Sequence, residues 1–224
     1  MTDKQLTVYT TLSEKILTIE KNAPTLIGIS GKDGSGKTTM ANILADFLSS
    51  KTSREIFRIS IDDFMNNRAL RYTPSESAGQ GCYDYTFNFD GFLNNVLIPL
   101  QEDGSWEYRA KIFDHTSDFE SFSPIKKATA NAIVIIDGVF LYKRDLVNYW
   151  DQRLLLDTSD ATAIERGAQR DSERLGNYEA ARQKYIDRYI ASQTIYYNEE
   201  SPEKRADIIV DNNDIESPVI SNAV

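Results

Sequence analysis

Residues 25–38 read TLIGISGKDGSGKT, and this stretch decides the fold. Its first six residues form a short, mostly apolar run, which is typical of a buried strand. Residues 31–38, GKDGSGKT, match the pattern G-x-x-x-x-G-K-[ST], in which glycines let successive backbone N–H groups curl around phosphate oxygens. Apolar residues then recur at helical spacing from Met40 to Leu48. The stretch therefore predicts a strand, a phosphate-binding loop and a helix in succession.

The residues of this loop are candidates for nucleotide binding. Lys37 is expected to reach the β- and γ-phosphates, which also makes it a catalytic candidate, and the Thr38 hydroxyl is expected to ligate Mg²⁺. The positive end of the following helix dipole adds to the attraction for phosphate. ATP and Mg²⁺ are therefore the predicted cofactors. The nucleotide-binding candidates in the loop are Gly31, Asp33, Gly34, Ser35, Gly36, Lys37, Thr38 and Thr39.

Two aspartates follow predicted strands and complete the predicted site. Asp137 ends the apolar strand over residues 132–136, where a second acidic residue near Mg²⁺ is expected. Asp62 follows a predicted strand over residues 56–61. Because ligands bind at the carboxyl ends of strands in such sheets, Asp62 is placed to take the proton of an attacking hydroxyl group or to orient that group. Its neighbour Asp63 points the opposite way on an extended segment, so only one of the two is expected to act.

Three arginines recur every four residues on a predicted helix over residues 159–174. Arg166, Arg170 and Arg174 therefore share one face of that helix. Cations on one face would clamp a transferring phosphoryl group, which makes Arg166 and Arg170 catalytic candidates and Arg174 a nucleotide-binding candidate. The alternative is an ordinary surface face, on which nearby acidic residues pair with the arginines.

Strands alternate with helices along the chain, which predicts a parallel sheet with right-handed crossovers. We expect an α/β P-loop fold, a doubly wound parallel sheet of about five strands with helices on both faces. We interpret residues 1–224 as a single domain. Its predicted parts are an N-terminal helix in residues 1–22, an acceptor-site loop region in residues 65–88 and a helical lid at about residues 160–175. Further predictions are a helix over residues 89–100, a strand over residues 106–113 and a helix over residues 177–197.

Composition excludes several classes of protein. The chain of 224 residues has a net charge of −9 and a sequence pI near 4.7, which argues against non-specific nucleic-acid binding. Cys82 and His115 are the only cysteine and histidine, so an internal disulfide and clustered Cys or His zinc sites are excluded. The sequence has neither a long apolar run nor a signal-peptide core, and we expect a cytoplasmic protein without a membrane partner.

Phosphate-binding loops serve several classes of enzyme. The chain lacks the guanine motif N-K-x-D and the transporter motif L-S-G-G-Q, so a small-molecule kinase is favoured. Six segments in order resemble the uridine kinase and phosphoribulokinase family over residues 25–212. They are GKDGSGKT, ISIDDF, YDYTFNFDGF, IVIIDGVFLY, LLLDTSDATAIERGAQRD and KRADIIVDN.

The resemblance implies roles for individual residues. Asp62 matches the base that receives the proton of the substrate's 5′-hydroxyl group, and Asp84 matches the residue that holds the ribose hydroxyls. Arg166 and Arg170 match lid arginines that contact the phosphates. The resemblance also implies a small-molecule substrate, with uridine or cytidine as the expected acceptor, and raises a homo-oligomer as an expectation.

The acceptor region departs from the uridine kinase pattern, which reads roughly Y-D-F-x-x-H. Here Phe113 stands in place of the tyrosine and is a candidate for stacking on a base. Asp118 stands in place of the histidine, so hydrogen bonding to a pyrimidine edge is lost or changed. His115 is a candidate replacement. Tyr83 and Arg71 are further candidates for acceptor binding, and Arg68 and Arg71 would suit an anionic acceptor. Cys82 is expected to be inert.

Other acceptors and two other functions therefore stay open. The acceptor would be another nucleoside, a sugar phosphate or a pantothenate-like compound. Outside the kinases, the chain would be a nucleotide-sensing regulatory module with little transfer activity, or an ATPase that acts on a macromolecule.

Overall fold

The structure is a computed structural model that describes residues 1–223, and β-strands form its centre. Six of the strands join in one sheet, and four two-residue strands form two small antiparallel pairs beside it. In chain order the strands are β1 (Thr25–Gly31), β2 (Ile56–Ser60), β3 (Glu107–Tyr108), β4 (Phe113–Asp114), β5 (Phe119–Glu120), β6 (Lys126–Lys127), β7 (Ile133–Gly138), β8 (Gln152–Asp157), β9 (Ile208–Asp211) and β10 (Val219–Ala223).

The large sheet has the strand order β10-β9-β8-β1-β7-β2. Five strands run parallel, and β10 pairs antiparallel with β9 at the edge. The predicted α/β fold with a mostly parallel sheet is confirmed. The sixth strand is an addition to the prediction, because VISNA mixes apolar and polar residues and shows no apolar run. β1 lies between β7 and β8, so the loop that follows it opens at the centre of the sheet edge.

The sheet buries both of its faces. Alternate residues of a strand point to opposite faces. Ile27 and Ile29 of β1 belong to one hydrophobic core, which includes Leu44 on the helix that follows the phosphate-binding loop. Leu26 belongs to a second core on the other face, which is rich in aromatic residues such as Phe140. Both strands are buried along their whole length, which explains why β1 and β7 consist mostly of apolar residues.

Helices cover the sheet on both sides. They are α1 (Asp3–Leu17), α2 (Lys37–Ser49), α3 (Arg68–Arg71), α4 (Ala78–Tyr85), α5 (Phe89–Phe92), α6 (Asp160–Asp171), α7 (Tyr178–Lys184), α8 (Ala191–Glu200) and α9 (Pro202–Arg205). Short 3₁₀ turns cover Ile61–Phe64 and Val147–Tyr149, and π-helical turns cover Leu93–Leu97 and Tyr185–Ile190. The second π turn joins α7 to α8 in one continuous helical path.

Three predicted segments differ in detail. Residues 65–88, predicted as loop, contain α3 and α4, because Asn67 and Ser77 cap these helices with their side chains. The helix predicted over residues 89–100 is α5 followed by a π turn. The strand predicted over residues 106–113 is instead β3 and the first residue of β4. Trp106 itself has a left-handed backbone conformation, with a φ of 61°, and β3 begins at the next residue. Among residues 1–223 no helix has both the length and the apolarity that crossing a membrane requires.

Candidate active site

The phosphate-binding loop forms a small pocket at the carboxyl end of β1. Gly34 and Gly36 have φ values of 83° and 97°, a left-handed conformation that glycine adopts without strain. A Cβ atom on Gly34 would also lie 2.2 Å from the carbonyl oxygen of Ala163 in α6. No side chain caps the start of α2. The first residues of α2 line the pocket, so an anion bound there would satisfy their free N–H groups.

Lys37 brings a further donor to this pocket, whereas Ser35, also predicted to bind the nucleotide, does not line it. Lys37 is 8% exposed, and its Nζ donates to the carbonyl oxygen of Lys32 at 2.8 Å. Burial lowers the pKa of Lys37, while nearby carboxylates, Asp33 foremost, oppose that shift. The buried Ser35 hydroxyl has no hydrogen-bond partner among residues 1–223. A largely buried ammonium that lines the pocket and donates to a carbonyl oxygen fits a polyanion such as a nucleoside triphosphate.

Thr38 and Asp137 meet on the next side of the pocket. The Thr38 hydroxyl donates to Oδ2 of Asp137 at 2.7 Å, and Asp137 is 1% exposed. The other carboxylate oxygen of Asp137 pairs with Arg58 of β2, which also contacts Asn42. No cluster of three or more His, Cys, Asp or Glu side chains in residues 1–223 would hold a metal on its own. Thr38 and Asp137 fit Mg²⁺, which often binds one or two carboxylates together with phosphate oxygens.

Asp62 lines the same pocket and belongs to the 3₁₀ turn after β2. Enclosure by the surrounding protein raises the pKa of Asp62 to about 6, the Asp33 carboxylate adds to this rise, and the Lys37 ammonium opposes it. The side chain stays accessible from the pocket, so solvent there moderates the shift. An accessible carboxylate with a raised pKa suits a proton acceptor.

A larger cavity of about 320 Å³ adjoins the phosphate pocket, whose volume is about 100 Å³. We call it the acceptor cavity. Asp33, Asp62, Val139 and Arg170 line both spaces, so the two meet at these side chains. The remaining lining residues of the acceptor cavity are Met65, Arg71, Tyr72, Cys82, Thr86, Phe87, His115, Phe140, Asp171, Arg174, Tyr185, Arg188, Tyr189 and Ser192.

The three arginines predicted on α6 and just after it occupy different places. Arg170 reaches both spaces and donates to the Tyr185 hydroxyl at 2.9 Å and to Asp171 at 3.2 Å. Arg174 lines the acceptor cavity and pairs with Asp171 at 2.9 Å. Although burial alone would raise it, hydrogen bonds from Arg170 and Tyr185 hold the pKa of Asp171 below its ordinary value.

Arg166 lies apart from Arg170 and Arg174. It donates to the backbone carbonyl oxygens of Asn212 and Asn213 at 2.8 and 2.7 Å, and it lines neither space. In this structure Arg166 therefore ties α6 to the end of β9, and its predicted phosphate contact stays a prediction.

Some of the predicted acceptor residues line the acceptor cavity and others do not. Arg71 and His115 line the acceptor cavity, whereas Tyr83, Asp84 and Phe113 do not. Asp84 is exposed, and its carboxylate accepts hydrogen bonds from the Gln80 side chain at 3.0 Å.

Two of the predicted acceptor residues are buried in the aromatic core. Tyr83 packs edge-on against Phe140, with the Lys143 ammonium over its ring at 3.5 Å, and Phe113 is 6% exposed. Asp118, which stands where uridine kinases have histidine, instead pairs with Arg71 at 3.0 Å. The structure thus brings Asp62, Arg71 and His115 together without Tyr83, Asp84 or Phe113.

Sequence reasoning missed one whole wall of the acceptor cavity. Four side chains from the π turn and α8 line it: Tyr185, Arg188, Tyr189 and Ser192. Their spacing of three, four and seven residues places them on one side of a helix, and this polar stripe was a signal that could have been used. Arg58 was also missed, because the sequence of β2 gives no sign that its one arginine pairs with Asp137.

A family model described as the phosphoribulokinase and uridine kinase family matches residues 26–215. The chain belongs to the phosphoribulokinase and uridine kinase family. The family resemblance predicted from the sequence is therefore confirmed, and the chain is a P-loop kinase. The family implies the use of a nucleotide, usually with Mg²⁺.

One curated relative agrees with this assignment, and two solved structures show the same fold. The chain is 30% identical over 197 residues to the uridine kinase of Ligilactobacillus salivarius (strain UCC118), covering 85% of this chain and 86% of that protein. A solved structure described as a possible uridine kinase from Bacillus stearothermophilus is similar with a TM-score of 0.72 and 24% identity, covering 90% and 96% of the two chains.

A more distant structure also shows the fold alone. It is the D-glycerate 3-kinase from Cryptococcus neoformans var. grubii, with a TM-score of 0.51 and 14% identity, covering 83% of this chain and 87% of that one.

Proposed function

We propose that this kinase transfers the γ-phosphoryl group of ATP to a hydroxyl group of a small metabolite bound in the acceptor cavity. The observation that carries the proposal is the wall shared by the two spaces. Asp62 lines both the phosphate pocket and the acceptor cavity, so one carboxylate reaches a nucleotide on one side and an acceptor on the other.

The proposed step is an in-line displacement. The acceptor hydroxyl oxygen forms a new bond to the γ-phosphorus while the bond from that phosphorus to the β,γ-bridging oxygen breaks. The hydroxyl proton passes to Asp62, and ADP leaves with the electron pair of the broken bond. With a pKa of about 6, Asp62 is mostly ionised at pH 7 and is ready to accept the proton.

The charge that develops on the phosphoryl group needs donors in place before the reaction. The loop N–H groups and Lys37 line the phosphate pocket, Arg170 lines both spaces, and all of them would stabilise that charge. Bound Mg²⁺ would supply further positive charge on the phosphate oxygens, and Thr38 and Asp137 are the residues that would hold it.

Uridine and cytidine are the first acceptors to test, because relatives are uridine kinases by name. The positions predicted to bind a pyrimidine nucleoside give this choice less support. Phe113 lies in the core, Asp84 is exposed outside the acceptor cavity, and Asp118 pairs with Arg71. Another nucleoside, a sugar phosphate and a pantothenate-like compound stay open as acceptors.

The test is acceptor-dependent release of ADP from Mg·ATP across a panel of these compounds. A kinase should release ADP only with its acceptor, and the product should carry the new phosphate ester. ATP binding without turnover on the whole panel would contradict the proposal and favour a nucleotide-sensing module. Release of ADP without any acceptor would instead favour an ATPase.

A further inference from the structure

The acceptor cavity contains an arginine that forms no salt bridge in the described part of the chain. Arg188 belongs to the π turn between α7 and α8 and is 8% exposed. Its guanidinium donates to the carbonyl oxygens of Arg71 at 2.6 Å and Ala78 at 3.2 Å. It also lies over the Tyr72 ring, 4.3 Å from the ring centroid. These contacts fix the direction of the side chain but leave its charge uncancelled.

The other arginines of the cavity have carboxylate partners. Arg170 and Arg174 both contact Asp171, at 3.2 and 2.9 Å, and Arg71 contacts Asp118 at 3.0 Å. A buried charge is costly unless a partner of opposite charge lies near it. A negatively charged group of a ligand would therefore gain the most binding free energy in this cavity by pairing with Arg188.

The position of Arg188 separates it from the reacting end of the cavity. Asp62 lies at the junction with the phosphate pocket, whereas Arg188, Arg71 and Tyr72 line the acceptor cavity alone. A ligand would therefore place its hydroxyl group at Asp62 and a different group at Arg188. Guanidinium N–H groups pair with the two oxygens of a carboxylate or phosphate in a fork, which gives direction as well as attraction.

We propose that the acceptor is a small hydroxy compound that carries a carboxylate or phosphate group, and that Arg188 binds this group. The inference rests on the proposed phosphoryl transfer to a hydroxyl in this cavity, and it narrows the acceptor class. A volume of about 320 Å³ suits a compact metabolite. A neutral nucleoside would bring no charge to match Arg188.

The first test compares acceptors that differ in one charge. The pairs are D-glycerate with glycerol, pantothenate with pantothenol and ribose 5-phosphate with ribose, and uridine is added as the neutral nucleoside. In the pair that the wild-type kinase uses, the anionic member should have a kcat/KM about 10- to 100-fold higher. A neutral compound, uridine included, that is used as well as every anionic one would overturn the proposal.

The second test changes the arginine. Arg188→Met keeps an unbranched stem against Tyr72 and removes the charge, and Arg188→Lys keeps the charge and loses the fork. Arg182→Met is the matched control, because Arg182 is exposed on α7. For the anionic acceptor, Arg188→Met should raise KM about 10- to 100-fold, with KM for ATP unchanged. Arg188→Lys should fall between Arg188→Met and the wild type, and Arg182→Met should match the wild type.

A purely structural role for Arg188 would raise KM for ATP, or lower kcat, by as much as it raises KM for the acceptor, and that result would overturn the proposal. Thermal melting checks that each variant is folded. If Arg188→Met does not fold, the proposal is tested by the comparison of acceptor pairs and by the change in KM for the acceptor in Arg188→Lys.

A binding measurement separates this inference from the proposed function. If no compound is phosphorylated, the proposed function fails on this panel, and D-glycerate and ribose 5-phosphate are titrated calorimetrically into protein saturated with ADP. Binding to the wild type and to Arg182→Met, with loss in Arg188→Met, would support the anion site by itself. Absence of binding by both anions would overturn it.

Discussion

The phosphate pocket and the acceptor cavity meet at Asp62, yet they are assembled from different kinds of sequence. Half of the residues that line the phosphate pocket come from one short stretch, residues 33–39, and all the others except Arg170 lie at or just after the ends of two neighbouring strands, β2 and β7. The acceptor cavity draws on Asp33, on residues between 62 and 87, on His115, on two residues after β7, and on residues between 170 and 192. One space is a local motif, and the other is a meeting of distant segments.

This difference separates the two halves of the proposed reaction. Backbone N–H groups and glycine conformations dominate the phosphate pocket, and they serve any nucleotide phosphate. Side chains on separate elements form the acceptor cavity, so its specificity depends on how those elements pack. We therefore expect single substitutions in the phosphate pocket to remove turnover, and substitutions around the acceptor cavity to change which compound is used.

The largest effect is expected for Lys37→Ala. Removing the buried ammonium takes away a cation placed against the transferring phosphoryl group, and kcat should fall by about 10²- to 10³-fold or more. Turnover is measured as ADP release, and circular dichroism should show an unchanged fold. Lys51→Ala, an exposed lysine beyond the end of α2, is the control. A Lys37→Ala variant with nearly normal turnover would refute the assignment of the pocket.

Asp62→Asn should lower turnover by about 10²- to 10⁴-fold, the usual contribution of a general base, while ATP affinity stays close to that of the wild type. Asp63→Asn is the control, because Asp63 is the adjacent aspartate, lies near Lys111 at 3.6 Å and lines neither space. Calorimetric titration with ATP and single-turnover rates are measured for both. A loss of ATP binding with a normal chemical step would argue against the role of Asp62.

The pH dependence tests the same residue in the wild type. The base must be unprotonated, so kcat/KM for the acceptor should fall as pH drops below about 6 and reach a plateau above pH 7. Stability has the opposite pH dependence. Because folding raises the pKa of this carboxyl group, protonated Asp62 favours the folded state, and the free energy of unfolding falls as the pH rises. Asp62→Asn should therefore raise Tm relative to the wild type at pH 8 more than at pH 4. A flat rate profile between pH 5 and 8 would contradict the assignment.

Asp137→Asn should weaken Mg²⁺ binding by about 10- to 100-fold while leaving binding of metal-free ATP nearly unchanged. The measurement is calorimetric titration of ATP with and without Mg²⁺, which does not depend on turnover. Asn42→Ala is the control, since Asn42 contacts the same Arg58 without contacting Asp137. Equal loss of ATP binding with and without Mg²⁺ would show that Asp137 acts on the pocket as a whole.

The smallest effect is expected for Asp84→Asn. Asp84 is exposed and accepts hydrogen bonds only from Gln80 within residues 1–223, so KM for the acceptor should change less than about threefold. Arg71→Met, which removes a side chain that lines the acceptor cavity, is the comparison and should have the larger effect. A large rise in KM for Asp84→Asn would support the role implied by the family resemblance and would require α4 to approach the acceptor.

The sequence anticipated the elements whose signals are local. Periodicity predicted the apolar runs of β1 and β7 and the order of strands and helices. Motif spacing predicted the glycine-rich loop between β1 and α2. Asp62 and Asp137 were placed at one edge of the sheet because parallel strands present their carboxyl ends together. The structure places both in the phosphate pocket beside Lys37.

The residues that sequence reasoning missed depend on packing between distant segments. Arg188 faces the acceptor cavity because the π turn lies against the carbonyl groups of Arg71 and Ala78, more than 100 positions earlier. Phe113 occupies the motif position at which the uridine kinase pattern has a tyrosine, yet here it is buried in the aromatic core. A motif position fixes which residue type occurs, and packing fixes which space the side chain reaches.

The amino-acid sequence by itself determined the fold class, the phosphate-binding loop and the two aspartates, because each depends on residues near one another or on the common edge of a parallel sheet. Only the tertiary structure decided which side chains line the acceptor cavity. That cavity forms where segments far apart in the chain pack together, and the charge left over after their mutual pairing, at Arg188, is a property of the assembled fold.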